Sequence, residues 1–121
     1  MRVELSHTFG FEAAHRLPHV PADHKCARMH GHSWRVDIGL AGEVDGRTGW
    51  LLDFGEIVAF VEPLLARELD HRTLNEVPGL ENPTSEVLCG WLWRRLAPRF
   101  PGMAAITVHE TCTARCTYRG E

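Results

Sequence analysis

From Val3 to His15 the chain sets apolar or ring-bearing side chains at odd positions (Val3, Leu5, His7, Phe9, Phe11, Ala13, His15) and polar ones between them (Glu4, Ser6, Thr8, Glu12). A period of two predicts a long strand with one face against a core. The turn formers Pro18, Pro21 and Asp23 open a loop, after which His30, His32, Trp34, Val36, Ile38 and Leu40 alternate with Gly31, Ser33, Arg35, Asp37 and Gly39. That pattern predicts a second strand, antiparallel to the first. Beyond Asp45-Gly46 and Thr48-Gly49, Asp53 caps a helix on which Ile57, Phe60, Val61, Leu64, Leu65 and Leu69 follow helical spacing, with Pro63 expected to kink it. Asn82-Pro83-Thr84-Ser85-Glu86 carries helix-start chemistry, and Leu88, Trp91, Leu92 and Leu96 continue a second helix up to Pro98. A strand over Ala104–Glu110 and a shorter one at Cys116-Thr117-Tyr118 close the chain. The order ββααββ predicts an α+β fold: a four-stranded antiparallel sheet with two helices on one face and the other face left for a partner subunit.

The chain has 121 residues, 44% of them hydrophobic, which suits one domain over residues 1–121. Thirteen Lys and Arg against sixteen Asp and Glu give a formal charge of -3, a poor match for duplex nucleic acid or an anionic membrane. No stretch approaches the ~18 apolar residues of a membrane span, and the first residues lack an apolar leader, so the expected compartment is cytoplasmic. The four cysteines are then expected as thiols. Eight histidines are the unusual feature, because imidazole is the commonest metal ligand and titrates near neutrality.

His30 and His32 stand at i and i+2 of one strand and point to one face, and antiparallel pairing can bring His15 across from them. A lone pair of this kind also fits a solvated strand; the third histidine turns the reading toward metal. Three neutral imidazoles without an obvious fourth ligand suit Zn²⁺ with an open position. Cys26 lies just before the ligand strand, where a cation would favour its thiolate as a base or nucleophile; a small buried thiol is the plain alternative. Cys89 reads as core, and Cys112 and Cys116 as structural. Asp70-His71 closes the first helix either as an acid/base pair or as a helix-end cap. Glu110 shares the parity of Ile106 and Val108, so its carboxylate is expected to face inward, toward a ligand with N–H donors, an arginine or a solvated strand end.

Taken together, Glu12-Ala13-Ala14-His15, Cys26-x-x-x-His30-Gly31-His32, Leu69-Asp70-His71 with Leu74-Asn75, Asn82-Pro83-Thr84-Ser85-Glu86 and Glu110-Thr111-Cys112-Thr113 resemble the 6-pyruvoyl-tetrahydropterin synthase family. Within it they match best the bacterial 6-carboxy-tetrahydropterin synthases of queuosine biosynthesis. The resemblance runs from about Phe9 to Gly120. It implies the tunnelling fold (T-fold) and a homohexamer made of two trimers. Zinc is implied on His15, His30 and His32, with Cys26 as the proton-abstracting group, Asp70 and His71 as its acid/base partners, and Glu110 on the pterin ring. The implied substrate is 7,8-dihydroneopterin triphosphate. In the carboxy branch it becomes 6-carboxy-5,6,7,8-tetrahydropterin with loss of triphosphate and acetaldehyde, whereas the pyruvoyl branch retains the three-carbon side chain. Three residues separate Cys26 from His30, a spacing similar to the carboxy branch. A non-catalytic zinc-binding module is the alternative from another class. Lys25, Arg28 and Arg72 are candidates for the triphosphate or plain surface cations. Arg115 departs from a glycine common in relatives, which predicts a differently shaped last turn.

Overall fold

The computed structural model describes residues 1–121. Its elements are β1 (Arg2–His15), β2 (His30–Glu43), α1 (Phe54–Glu68), β3 (Arg72–Thr73), α2 (Ser85–Leu96), β4 (Met103–His109) and β5 (Arg115–Tyr118). They form one sheet in the order β3-β1-β2-β4-β5. β1 and β2 run antiparallel in unbroken register from Arg2↔Glu43 to His15↔His30, the product of two uninterrupted alternations of matching length.

The fold is α+β, with one correction. The sheet has five strands and is mixed, because β3 pairs parallel to β1 through Ala13↔Arg72 and Ala14↔Thr73. A strand of two residues carries no alternation to read, and its place is fixed by the turn leaving α1. Strand β4 pairs with β2 across an irregularity between Gly39 and Leu40, and β5 pairs with β4.

Side chains of one sheet face, including Phe9, Phe11, Trp34, Val36, Ile38, Ile106 and Val108, meet Ile57, Val61, Leu64 and Leu65 of α1 and Leu88 and Leu92 of α2 in a single buried cluster. Asp53 caps α1 by accepting the Gly55 N–H at 2.8 Å, and Thr84 caps α2 by accepting that of Val87 at 3.1 Å. Helix α1 continues through Pro63 without a break. Cys89 lies in the core, its thiol pushed up to about 12 chiefly by burial, so it stays protonated. Arg115 is an extended residue paired with His109, and the only non-glycine residue with positive φ is His71, so arginine at 115 meets no backbone strain.

Candidate metal centre and surrounding site

His15 ends β1 and His30 opens β2 directly opposite it; His32 lies two residues on, across from Ala13. Their parity turns all three imidazoles to the helix-covered side, where one nitrogen from each lies within 4.8 Å of the others. Trp34 forms the floor. Its ring stands edge-on to His15 at 5.0 Å and His32 at 5.2 Å, and its indole N–H donates to the Ala13 carbonyl at 3.2 Å.

Nδ1 of His15 donates to the Pro83 carbonyl at 2.8 Å, and Nδ1 of His30 to the Arg28 carbonyl at 2.7 Å. A carbonyl only accepts, so these bonds fix the tautomers and leave the Nε2 lone pairs for another group. Nε2 of His15 and of His32 is buried without a hydrogen-bond partner. Each such orphan costs about 1–3 kcal/mol. Burial also pushes the His15 and His32 imidazoles below their ordinary pKa and keeps them neutral, the form that binds metal. Converging neutral imidazoles with orphaned lone pairs and carbonyl-anchored outer nitrogens fit a Zn²⁺ ion.

Glu110 follows β4, and its Oε1 lies 3.4 Å from His15 Nε2 and 3.7 Å from His32 Nε2. The carboxylate faces the cluster, as its parity predicted. Cys26 sits half-buried in a 3-10 turn, Lys25–Ala27, and its carbonyl accepts the Leu17 N–H at 2.8 Å, two residues beyond His15.

Asp70 and His71 form the turn after α1. Asp70 accepts the Glu12 N–H at 2.9 Å through Oδ1 and the His71 Nδ1–H at 2.9 Å through Oδ2, and these two donors hold it below the usual carboxylate range. With Nδ1–H committed to the carboxylate, His71 Nε2 is the atom available to exchange a proton. The His71 backbone is left-handed, at φ 57°, and its N–H donates to the Glu12 carbonyl at 2.6 Å. A histidine where glycine is preferred costs on the order of 1 kcal/mol, and such strain concentrates at functional sites. The dyad is bonded to β1 and not to the cluster. His71, but not Asp70, lines an open groove of about 470 Å³ together with His32, Glu12, Gly31 and Ser33. Arg72 borders the same groove and is partly engaged by the Arg67 carbonyl at 3.0 Å, while Lys25 and Arg28 are exposed.

One contributor was missed at the level of sequence. The Asn75 side chain accepts the Arg16 N–H at 3.0 Å and donates to the Arg16 carbonyl at 2.9 Å, prolonging the β3–β1 pairing with a side-chain amide and steadying the strand end that carries His15. An Asn has the donor and acceptor of a peptide, but nothing in its local pattern names its partner. Pro83, by contrast, stood in a legible helix start; only its carbonyl's second role was hidden.

Residues 4–121 match the family described as 6-pyruvoyl tetrahydropterin synthase. The chain is 41% identical over 115 residues to the 6-carboxy-5,6,7,8-tetrahydropterin synthase of Synechocystis, covering 91% of this chain and 88% of that one. It is 28% identical over 102 residues to the dihydroneopterin monophosphate aldolase of Pyrococcus furiosus, covering 84% and 82%. The structure of Caenorhabditis elegans 6-pyruvoyl tetrahydropterin synthase superimposes with a TM-score of 0.90 over 100% of this chain and 97% of that one, at 26% identity. A match of this extent, on an α+β scaffold that gathers three histidines beside a carboxylate, shows that the chain belongs to the 6-pyruvoyl tetrahydropterin synthase family.

Proposed function

We propose that the chain is a zinc-dependent lyase that converts 7,8-dihydroneopterin triphosphate to 6-carboxy-5,6,7,8-tetrahydropterin, releasing triphosphate and acetaldehyde, in queuosine and other 7-deazapurine biosynthesis. The observation that carries this reading is the convergence of the His15, His30 and His32 lone pairs, two of those imidazoles anchored on carbonyls. The 41% identity to a synthase of that name supports the branch.

Bound at the three imidazoles, zinc would supply a Lewis acid for the hydroxyls of the substrate side chain. The Cys26 thiolate takes the proton from the adjoining carbon. His71, with Asp70 behind it, exchanges protons at Nε2 as the side chain rearranges and triphosphate departs. Glu110 accepts hydrogen bonds from the pterin N–H groups, and Arg72, Lys25 and Arg28 provide positive charge for the triphosphate. The enzyme works as a homohexamer of two trimers in the cytoplasm. In support, β1 is paired with β2 along its whole length but with β3 only at Ala13 and Ala14, which leaves a long strand edge for another subunit.

Incubation of the zinc-loaded protein with dihydroneopterin triphosphate and mass analysis of the products tests the reading. Carboxytetrahydropterin and acetaldehyde are expected. Triphosphate without acetaldehyde, with the three-carbon side chain retained, would replace it by the pyruvoyl reaction. The approach of Glu110 to the cluster favours one other reading, a closed, non-catalytic zinc module with this carboxylate as fourth ligand. A cobalt-substituted sample whose spectrum responds to an added exchangeable ligand excludes that module.

A further inference from the structure

The segment joining β1 to β2 has one element of regular structure, the 3-10 turn Lys25–Ala27, and that turn carries Cys26. His24 stands at its start in an extended conformation, with φ -70° and ψ 137°. Its Nδ1 accepts the Cys26 main-chain N–H at 3.0 Å. The His24 N–H donates to the Pro21 carbonyl at 2.9 Å, and the His24 carbonyl accepts the Ala27 N–H at 3.0 Å, so the residue giving the cap is itself held on both sides. The Cys26 carbonyl is taken by the Leu17 N–H at 2.8 Å. Both main-chain groups of Cys26 are therefore tied, one to the His24 ring and one to the chain just past His15.

Only a ring nitrogen with a free lone pair accepts an N–H, so Nδ1 is unprotonated here and engaged. The position is that of an N-cap, where Asn, Asp, Ser and Thr do the same work with a side-chain oxygen. A turn of three residues has few internal bonds, and losing the cap frees the Cys26 peptide to leave its position. Reaction of a thiolate with one carbon of a bound side chain depends steeply on such placement.

We propose that His24 is a positioning residue for Cys26: its Nδ1 caps the Lys25–Ala27 turn and holds the thiol where the substrate side chain is presented by the three-histidine site. His24 exchanges no proton with the substrate. The inference rests on the reading of Cys26 as the base. It predicts that the acceptor atom matters and the imidazole's acid/base chemistry does not.

The test uses the full zinc-loaded chain with His24→Ala, His24→Leu and His24→Asn, each checked for zinc content and melting temperature. Turnover of dihydroneopterin triphosphate is measured beside the rate at which iodoacetamide alkylates Cys26, resolved by peptide mapping from the exposed Cys112. Without the cap, kcat is expected to fall about fivefold to tenfold, the factor one N-cap represents, with KM changed by less than about twofold. Cys26 is expected to alkylate about fivefold faster as the turn opens, and Cys112 at its former rate. His24→Asn restores both, because its side-chain oxygen accepts the same N–H. His24→Leu removes the acceptor while retaining volume, so it decides the matter if His24→Ala fails to fold. Unchanged kcat and Cys26 alkylation in a folded variant lacking the acceptor overturn the proposal. So does His24→Asn as impaired as His24→Ala, since the ring itself would then be required. Cys26→Ser in the same series separates the two claims: near wild-type turnover removes Cys26 from the mechanism, while the alkylation rates still judge whether His24 holds it.

Discussion

A cluster of three histidines and a single histidine lie on opposite faces of the same sheet. On the helix-covered face, His15, His30 and His32 converge on one point, and Nε2 of His15 and of His32 is buried there without a hydrogen-bond partner. On the other face, His109 at the end of β4 donates from Nε2 to Asp37 Oδ2 at 2.7 Å, and Thr8 donates to Asp37 Oδ1 at 2.6 Å, a clasp over three strands. Burial pushes the Asp37 carboxyl up, but the hydrogen bonds from Thr8 and His109 outweigh it and hold the group below its ordinary pKa. The contrast teaches how a candidate metal site differs from a structural polar contact. His109 is bonded to the single carboxylate beside it, whereas His15, His30 and His32 face one another as well as Glu110, and three imidazoles this close would repel as cations, so they sit together when neutral or bound to a cation.

The largest effect expected from breaking this contrast is at His15. His15→Ala should remove bound zinc and lower turnover by about a thousandfold or more, measured by metal analysis and product formation. Full zinc content in the folded variant would place the metal elsewhere. Next, stripping zinc from the wild type with a chelator should reduce stability by about 4 kcal/mol if the ion is present at roughly a thousand times its dissociation constant, read as a lowered melting temperature that added Zn²⁺ restores.

Asp37→Asn sharpens the comparison from the other face. It should cost about 1–2 kcal/mol in denaturant unfolding while zinc content stays unchanged, because the clasp joins strands and binds no ion. The smallest effect is the pH dependence of that difference. Asp37 has a lowered pKa in the folded state, so its contribution is present above the unfolded carboxyl pKa of about 3.9 and is lost as pH falls through the folded value. The gap between wild type and Asp37→Asn should therefore hold near neutrality and close below about pH 4. A gap that persists unchanged in acid would mean that the carboxylate charge contributes nothing.

The three-histidine face was legible in the sequence because strand parity puts His30 and His32 on one face and antiparallel pairing can bring His15 across from them, while the register His15↔His30 came from the fold. Glu110 was legible for the same reason. The Asp37–His109 clasp was not: both residues read as ordinary polar positions of strands, and their meeting depends on the β2–β4 register, which contains an irregularity that no local pattern announces. β3 was missed because two residues have no period. The Asn75 amide and the Pro83 carbonyl act across long sequence separations, and such contacts follow from the fold rather than from spacing.

The left-handed backbone of His71 bears on how other members of such a family can be read. At that turn glycine would satisfy the chain with less strain, while the proton exchange proposed for Nε2 calls for histidine, so the two demands pull the residue in opposite directions. Selection for stability alone would drift the position to glycine, and a relative carrying glycine there while retaining the three clustered histidines would, on the proposed role of His71, have the marks of a protein that has given up the reaction and kept its scaffold.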